Sequence, residues 1–145
     1  MIQFIVPAVP VPQPRARATA FNGRARMYEA KKSHPIHDFK AMVRLIATQA
    51  HRGPPIEGPI RLFATFVLPR PKSAPKKQRE RIAHTKRGDV DNFLKAVMDA
   101  LNKLLWNDDA QIYLAQCRKY VADVDELPHV EIKVLPGVHP MDGAE

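Results

Sequence analysis

The sequence has little cysteine: one residue, Cys117, in 145. That excludes an internal disulfide and a cysteine-rich zinc site, and the lack of disulfides fits a cytoplasmic setting. The 6 histidines show no ligand spacing beyond His34-x-x-His37, which reads as a pair of surface residues at a helix start, so no zinc enzyme is indicated. Long hydrophobic runs are also missing. The opening, MIQFIVPAVPVPQPRAR, has a short apolar run broken by Pro7 and Pro10. It is too short to span a membrane and lacks the charged start of a signal peptide, so the whole chain is expected to be the mature protein. No repeat or internal boundary interrupts the rest. The expectation is one domain over residues 1–135 and a disordered tail, PGVHPMDGAE, over 136–145.

What is present is positive charge. Against 15 Asp and Glu stand 23 Lys and Arg, a formal net charge of +8. On a chain this short the excess favours a polyanionic partner, because each cation set against a phosphate releases a condensed counterion. A hydrophobic content of 45% is enough for one core and singles out no function.

Along the chain, residues 2–6 read as a strand, and the proline-rich stretch from Val6 to Pro14 as an extended connector. In ARATAFNGRARMY the Asn22-Gly23 pair predicts a hairpin turn, making a basic arm of Arg15, Arg17, Arg24 and Arg26. Protective charge on an edge hairpin and contact with DNA explain those arginines equally well. Apolar side chains at Ile36, Phe39, Met42, Val43, Ile46 and Ala47 predict a helix over 36–50. A strand over 60–68 follows. Residues 69–88 are punctuated by proline and crowded with cations, including Arg70, Lys72, Lys76, Lys77, Lys86 and Arg87. That composition predicts a mobile, phosphate-gripping loop with at most a short helical turn. A helix over 91–105 and strands over 111–121 and 129–135 complete an α+β fold, with a mixed, mostly antiparallel sheet, two main helices on one face and an N-terminal β-hairpin.

The informative segment is GDVDNFLKAVMDALNKLLWNDDAQ. On a helical wheel Phe93, Leu94, Val97, Met98, Leu101, Leu104 and Leu105 share an apolar face, and Asp91, Lys95, Asp99 and Asn102 form the opposite stripe. Singly these polar residues have plain explanations. Asp91 stands where an N-cap would be, Lys95 makes i,i+4 pairs with Asp91 and Asp99, and Asp108 and Asp109 suit a turn. Together they suggest chemistry. Asp89 and Asp91, one residue apart, can converge on a hard divalent cation, which can activate a water for in-line phosphodiester displacement. Lys95, one turn along, can neutralise the developing charge or position the water.

The ordered set Asp89-Val90-Asp91-Asn92, Lys95, Asp99-Ala100-Leu101, Trp106 and Asp108-Asp109-Ala110-Gln111 resembles the RusA family of Holliday-junction resolvases. The close match covers residues 86–112, and a looser match in element order extends over the rest. The resemblance implies a cytoplasmic, bacterial or phage-encoded homodimer that nicks four-way junctions symmetrically with magnesium, manganese being the expected substitute, and with no organic cofactor or membrane. By position, Asp89, Asp91 and Asp109 match the catalytic aspartates and Lys95 the essential lysine. The spacing to the second acidic element is slightly short, so Asp108 remains an alternative ligand. Family members often carry a basic residue before the first aspartate. Here that position is Gly88, and Lys86 or Arg87 is expected to supply the charge.

A straight helix over 91–105 is about 21 Å long, so Asp91 and Asp109 of one chain cannot share a cation unless the helix breaks early or the chain doubles back. A twofold dimer with antiparallel helices would instead join Asp89, Asp91 and Lys95 of one subunit to Asp109 of the other. A non-catalytic binder of branched DNA and a less selective nuclease are the alternative readings.

Overall fold

The computed structural model describes residues 1–14, 17–21, 24–28 and 31–143, with the backbone alone for 17–21 and 24–28. Strand β1 (Ile2–Val6) is followed by the antiparallel ribbon of β2 (Arg17–Phe21) and β3 (Arg24–Tyr28). Phe21 pairs with Arg24 and Arg17 with Tyr28, as a two-residue hairpin connection requires, although Asn22 and Gly23 themselves lie outside the described residues. Helix α1 (Pro35–Ala50) precedes β4 (Ile60–Leu68), the short β5 (Ile82–Ala83), helix α2 (Val90–Leu101), β6 (Ile112–Val121) and β7 (His129–Pro136).

Five strands form one sheet in the order β1-β7-β4-β6-β5. β7 is antiparallel to β1 and β4, β5 is antiparallel to β6, and only β4 and β6 run parallel. The expected mixed, mostly antiparallel α+β fold is therefore the observed one. Its register makes layers of apolar side chains. Val130 stands between Val6 and Phe66, Ile132 between Phe4 and Ala64, and Val134 between Ile2 and Leu62. These rows meet the apolar stripes of both helices in one core that includes Ile36, Phe39, Val43, Phe93, Val97 and Leu101. Alternation in β1 and β7 sends Gln3, Glu131 and Lys133 to the other face of the sheet, where the Lys133 ammonium stands 5.1 Å from the centre of the Phe63 ring.

Local chemistry explains the ends of α1. The His34 ring accepts a hydrogen bond from the Ile36 amide through Nδ1, and Pro35 opens the first turn, where no amide hydrogen is needed. His37 is engaged separately, with Nε2 at 2.9 Å from the Lys31 carbonyl.

Two expectations change. The second helix starts one residue earlier and stops at Leu101, with Asp89 rather than Asp91 as its N-cap and Asn102 as its C-cap. Lys103 takes a φ of +70°, and its amide donates to the Trp106 carbonyl at 2.7 Å. No glycine or proline marks this stop. The chain turns because Leu105 and Trp106 are then both fully buried, a gain of several kcal/mol of apolar burial against about 1 kcal/mol for a left-handed non-glycine residue.

The basic segment 69–88 is the second. Instead of a helical turn it contains β5, and two of its arginines point inward. The Arg70 guanidinium donates to the carbonyls of Pro75 (3.0 Å), Glu80 (3.2 Å), Ala122 (3.1 Å) and Gln78. Arg81 pairs with Glu126 and Glu131, both at 2.6 Å, and stacks at 5.7 Å over Tyr120. Near the chain's end the Tyr113 hydroxyl donates to Asp142 at 2.8 Å.

The Arg81 pairing has a pH signature. Its hydrogen bond lowers the Glu126 carboxyl below the usual glutamate range, and bonds from His129 and Arg81 outweigh burial to lower Glu131 as well. Both carboxyls titrate lower in the folded chain than in the unfolded one. Their contribution is complete above the ordinary carboxylate range and is lost as pH falls through the depressed values. Arg81→Met should therefore cost about 1 kcal/mol near neutral pH. In urea unfolding across a pH series, the gap to wild type should close on acidification.

Candidate metal and DNA site

The parallel pair β4 and β6 needs a crossover, and α2 supplies it. α2 begins at the carboxyl ends of both strands and returns the chain to the start of β6. One contact fixes that placement: Lys119 of β6 donates to the Gly88 carbonyl at 2.6 Å. Burial raises the Cys117 thiol above its ordinary value, with the charge of Asp91 adding to the effect. Asp89 and Asp91 thus stand at the carboxyl edge of the parallel strands, where open sheets commonly leave a crevice for ligands.

Gly88 sets the approach to them. Its φ is +100°, and a Cβ there would lie 2.7 Å from Cε2 of Phe93. Phe93 in turn packs against Phe66, with ring centroids 5.3 Å apart. The chain therefore passes directly over an aromatic ring before it enters the helix. Asp89 caps α2 through its carbonyl, which accepts from the amides of Asn92 (3.0 Å) and Phe93 (3.3 Å), while its side chain makes no capping bond to the helix. Asp91, in the first turn, is exposed and makes no hydrogen bond or ion pair among the described residues. The helix dipole favours negative charge at both positions. Two carboxylates not committed to capping, at one chain turn, are a donor set that fits a hard divalent cation.

The other expected residues separate into groups. Lys95 follows Asp91 by one turn, but its ammonium leans to Asp99 at 3.4 Å, and Asp99 is shared with Lys40 at 3.7 Å. Asp108 and Asp109 lie at the opposite end of α2. Asp108 caps a single 3-10 turn (Asp109–Gln111), its Oδ1 accepting from the Ala110 amide at 2.9 Å. Gln111 answers by accepting from the Asp108 amide at 3.0 Å, and its own amide group donates to the carbonyls of Ile56 and Gly58. Asp109 is half-buried, with one carboxylate oxygen held at 2.8 Å by the indole N–H of the buried Trp106. Asp108 thus has a capping role, and Asp109 is the carboxylate oriented by a buried donor. The 12 residues of α2 separate Asp91 from that turn by about 16 Å.

Among the described residues, the group of three metal-capable side chains that converges within 4.8 Å is Glu126, His129 and Glu131. Arg81 already pairs with both of its carboxylates, so this trio ties the basic loop to the sheet. Sequence reading missed the trio, and no motif spacing signals it.

Lys72, Lys76, Lys77, Lys86 and Arg87 are exposed around the loop, and Lys86 and Arg87 lead directly into Gly88. Arg70 is engaged with the loop's own carbonyls. Arg15 lies outside the described residues, and the register puts positions 17, 24 and 26 on one face of the ribbon.

The family described as "Endodeoxyribonuclease RusA" matches residues 7–135. The chain belongs to the RusA family. It is also 35% identical, over 140 residues, to a protein of Bacillus subtilis (strain 168) named "Uncharacterized protein YqaN", a match covering 92% of this chain and 94% of that one. RusA membership supports an endonuclease that acts on branched DNA. Among the described residues no helix is long and apolar enough to cross a membrane.

Gly88→Ala should destabilise the fold by about 1–3 kcal/mol, from the positive φ and the crowding against Phe93 together. Chemical denaturation measures it. In a double-mutant cycle, Phe93→Leu and Gly88→Ala together should cost less than the sum of their separate losses, because the ring that crowds the new methyl is gone.

Proposed function

We propose that this chain is a magnesium-dependent Holliday-junction resolvase, active as a homodimer in DNA recombination and repair. The observation that carries the reading is the placement of Asp89 and Asp91. In a RusA-family chain, two carboxylates not spent on capping stand at the carboxyl edge of the parallel strands, beside a loop lined with lysines. The cation supplies a more acidic water and offsets charge on the leaving oxygen. Asp89 and Asp91 hold it, and Lys95 stands one turn along to meet the phosphate. Manganese substitutes because it shares the preference for oxygen ligands. Lys72, Lys76, Lys77, Lys86 and Arg87, with Arg15, Arg17, Arg24 and Arg26 of the N-terminal ribbon, attract the phosphate backbone. Arg70 acts one step back, by shaping the loop.

The third aspartate comes from the partner subunit. Asp109 is the preferred ligand over Asp108, because its orientation by Trp106 leaves it no capping duty. The length of α2 favours a composite site, and two equivalent sites suit a junction with approximate twofold symmetry.

Asp91→Asn should abolish paired, magnesium-dependent nicking of a labelled four-way junction while junction binding persists. Junction binding without cleavage by the wild type, in magnesium or manganese, would favour the non-catalytic binder. Equal cutting of linear duplex would favour a less selective nuclease.

The composite site has its own test. A mixed dimer of Asp91→Asn with Asp109→Asn retains one intact site if the aspartates are shared between subunits, and none if each subunit is self-sufficient. Mixing the two inactive variants should therefore restore single-strand nicking of the junction. No restoration in a verified mixed dimer would reject the shared arrangement.

A further inference from the structure

Position 88 disfavours any side chain. Its φ of +100° and the 2.7 Å approach of a Cβ to Phe93 set a cost against the basic residue expected immediately before the first aspartate. A cation nevertheless reaches this point from another strand. Lys119 of β6 pairs with Phe66 of β4 in the sheet, so it lies in the row that faces the helices. Its ammonium donates to the carbonyls of Gly88 at 2.6 Å and Lys86 at 3.0 Å. Its own carbonyl accepts from the His84 amide at 3.1 Å, which joins it to the strand extending β5. Phe66, Phe93, Gly88 and Lys119 thus form a closed circuit of contacts: ring on ring, ring under glycine, glycine carbonyl to lysine, and lysine beside Phe66.

We propose that Lys119 is a positioning residue for the aspartate pair. Gly88 and Asp89 share one peptide unit, formed by the carbonyl that Lys119 holds and the amide of Asp89. Fixing that carbonyl fixes the direction in which the chain delivers Asp89 to the N-cap. Lys119 is half-buried, and its hydrogen bonds go to main-chain carbonyls, which separates it from the exposed lysines of the loop. A bond from an ammonium is stronger than one between neutral groups. Gly88, the residue most able to rotate, needs such a restraint. The proposal rests on the metal-dependent reading of Asp89 and Asp91.

The two electrostatic consequences of Lys119 have opposite signs, which makes the test decisive. If it acts as a positioning residue, its loss weakens cation binding. If it acts only as a nearby positive charge, its loss strengthens cation binding. The full-length chain is titrated with Mn²⁺, without DNA, as wild type, Lys119→Met, Lys119→Arg and Asp91→Asn. Hydrogen exchange is followed over residues 86–92 in the metal-free proteins, and junction affinity is measured in EDTA. The expected result is a loss of Mn²⁺ affinity of about tenfold in Lys119→Met, as for other residues that orient metal ligands. Exchange over 86–92 should be faster, junction affinity unchanged, and Lys119→Arg should recover most of the Mn²⁺ affinity.

Unchanged or tighter Mn²⁺ binding in Lys119→Met would overturn the proposal. So would a loss of junction affinity with Mn²⁺ binding intact, which would make Lys119 a phosphate contact. Equal Mn²⁺ binding by wild type and Asp91→Asn would instead overturn the metal reading of the aspartates. The metal-free exchange comparison would still decide whether Lys119 holds the loop.

Discussion

A parallel strand pair cannot be closed by a tight turn, and that constraint organises this molecule. β4 and β6 pair along nearly their whole lengths, so the chain between them must travel back the full height of the sheet. α2 makes that journey, and its apolar stripe over Phe66 and the neighbouring rows supplies much of the core. The two ends of a crossover helix lie at opposite edges of a sheet. The polar residues just before and just after α2 are separated accordingly: Asp89 and Asp91 at the carboxyl edge, Asp108 and Asp109 at the amino edge. The distribution of the acidic motif in space follows from sheet topology rather than from any property of aspartate.

The same topology sorts the cations. Arginine has a planar, multivalent guanidinium, and two of the loop's arginines, Arg70 and Arg81, are used where several carbonyls or carboxylates must be gathered at once, whereas Arg79 and Arg87 stay exposed. The lysines of this segment, single point charges on flexible stems, remain in solvent. Lys119, on β6 rather than in the loop, has its ammonium drawn inward by two carbonyls. A count of positive charge cannot make these distinctions, because a residue that organises a loop and one that faces a phosphate contribute equally to a net charge of +8.

Periodicity was legible wherever one face of an element is buried. The strands 2–6 and 60–68 and the helix of residues 36–50 could be read because alternation or helical spacing in those segments is a direct record of the core. The end of α2 was not legible. Leu104 and Leu105 continue the helical pattern, and the signal that overrides it is the burial of Trp106 against Ile56, a contact 50 residues away in the sequence. β5 was hidden for a related reason: two residues pairing with the end of β6 leave no periodic trace. The aspartate motif could be read because its spacing is local. Gly88 was noticed as a departure from the family's pattern, but its cause, the Phe93 ring beneath it, exists only in three dimensions. Lys119 lies 31 positions from Gly88, and nothing in the spacing links them.

On the proposed reading, separation of the aspartates has a consequence for control. A nuclease that completes its metal site within one subunit can cut wherever that subunit meets DNA. One that borrows Asp109 from a partner assembles its sites only in the dimer, and assembles them as a pair. Trp106 then has two roles, since its indole fills the core of one subunit and its N–H aims a carboxylate towards the other. The stop of α2 at Leu101 precedes the turn in which Trp106 is buried and its N–H holds Asp109. The small cost of the left-handed Lys103 is thus tied to the orientation of Asp109, and on the proposed reading the core and the site share one buried ring.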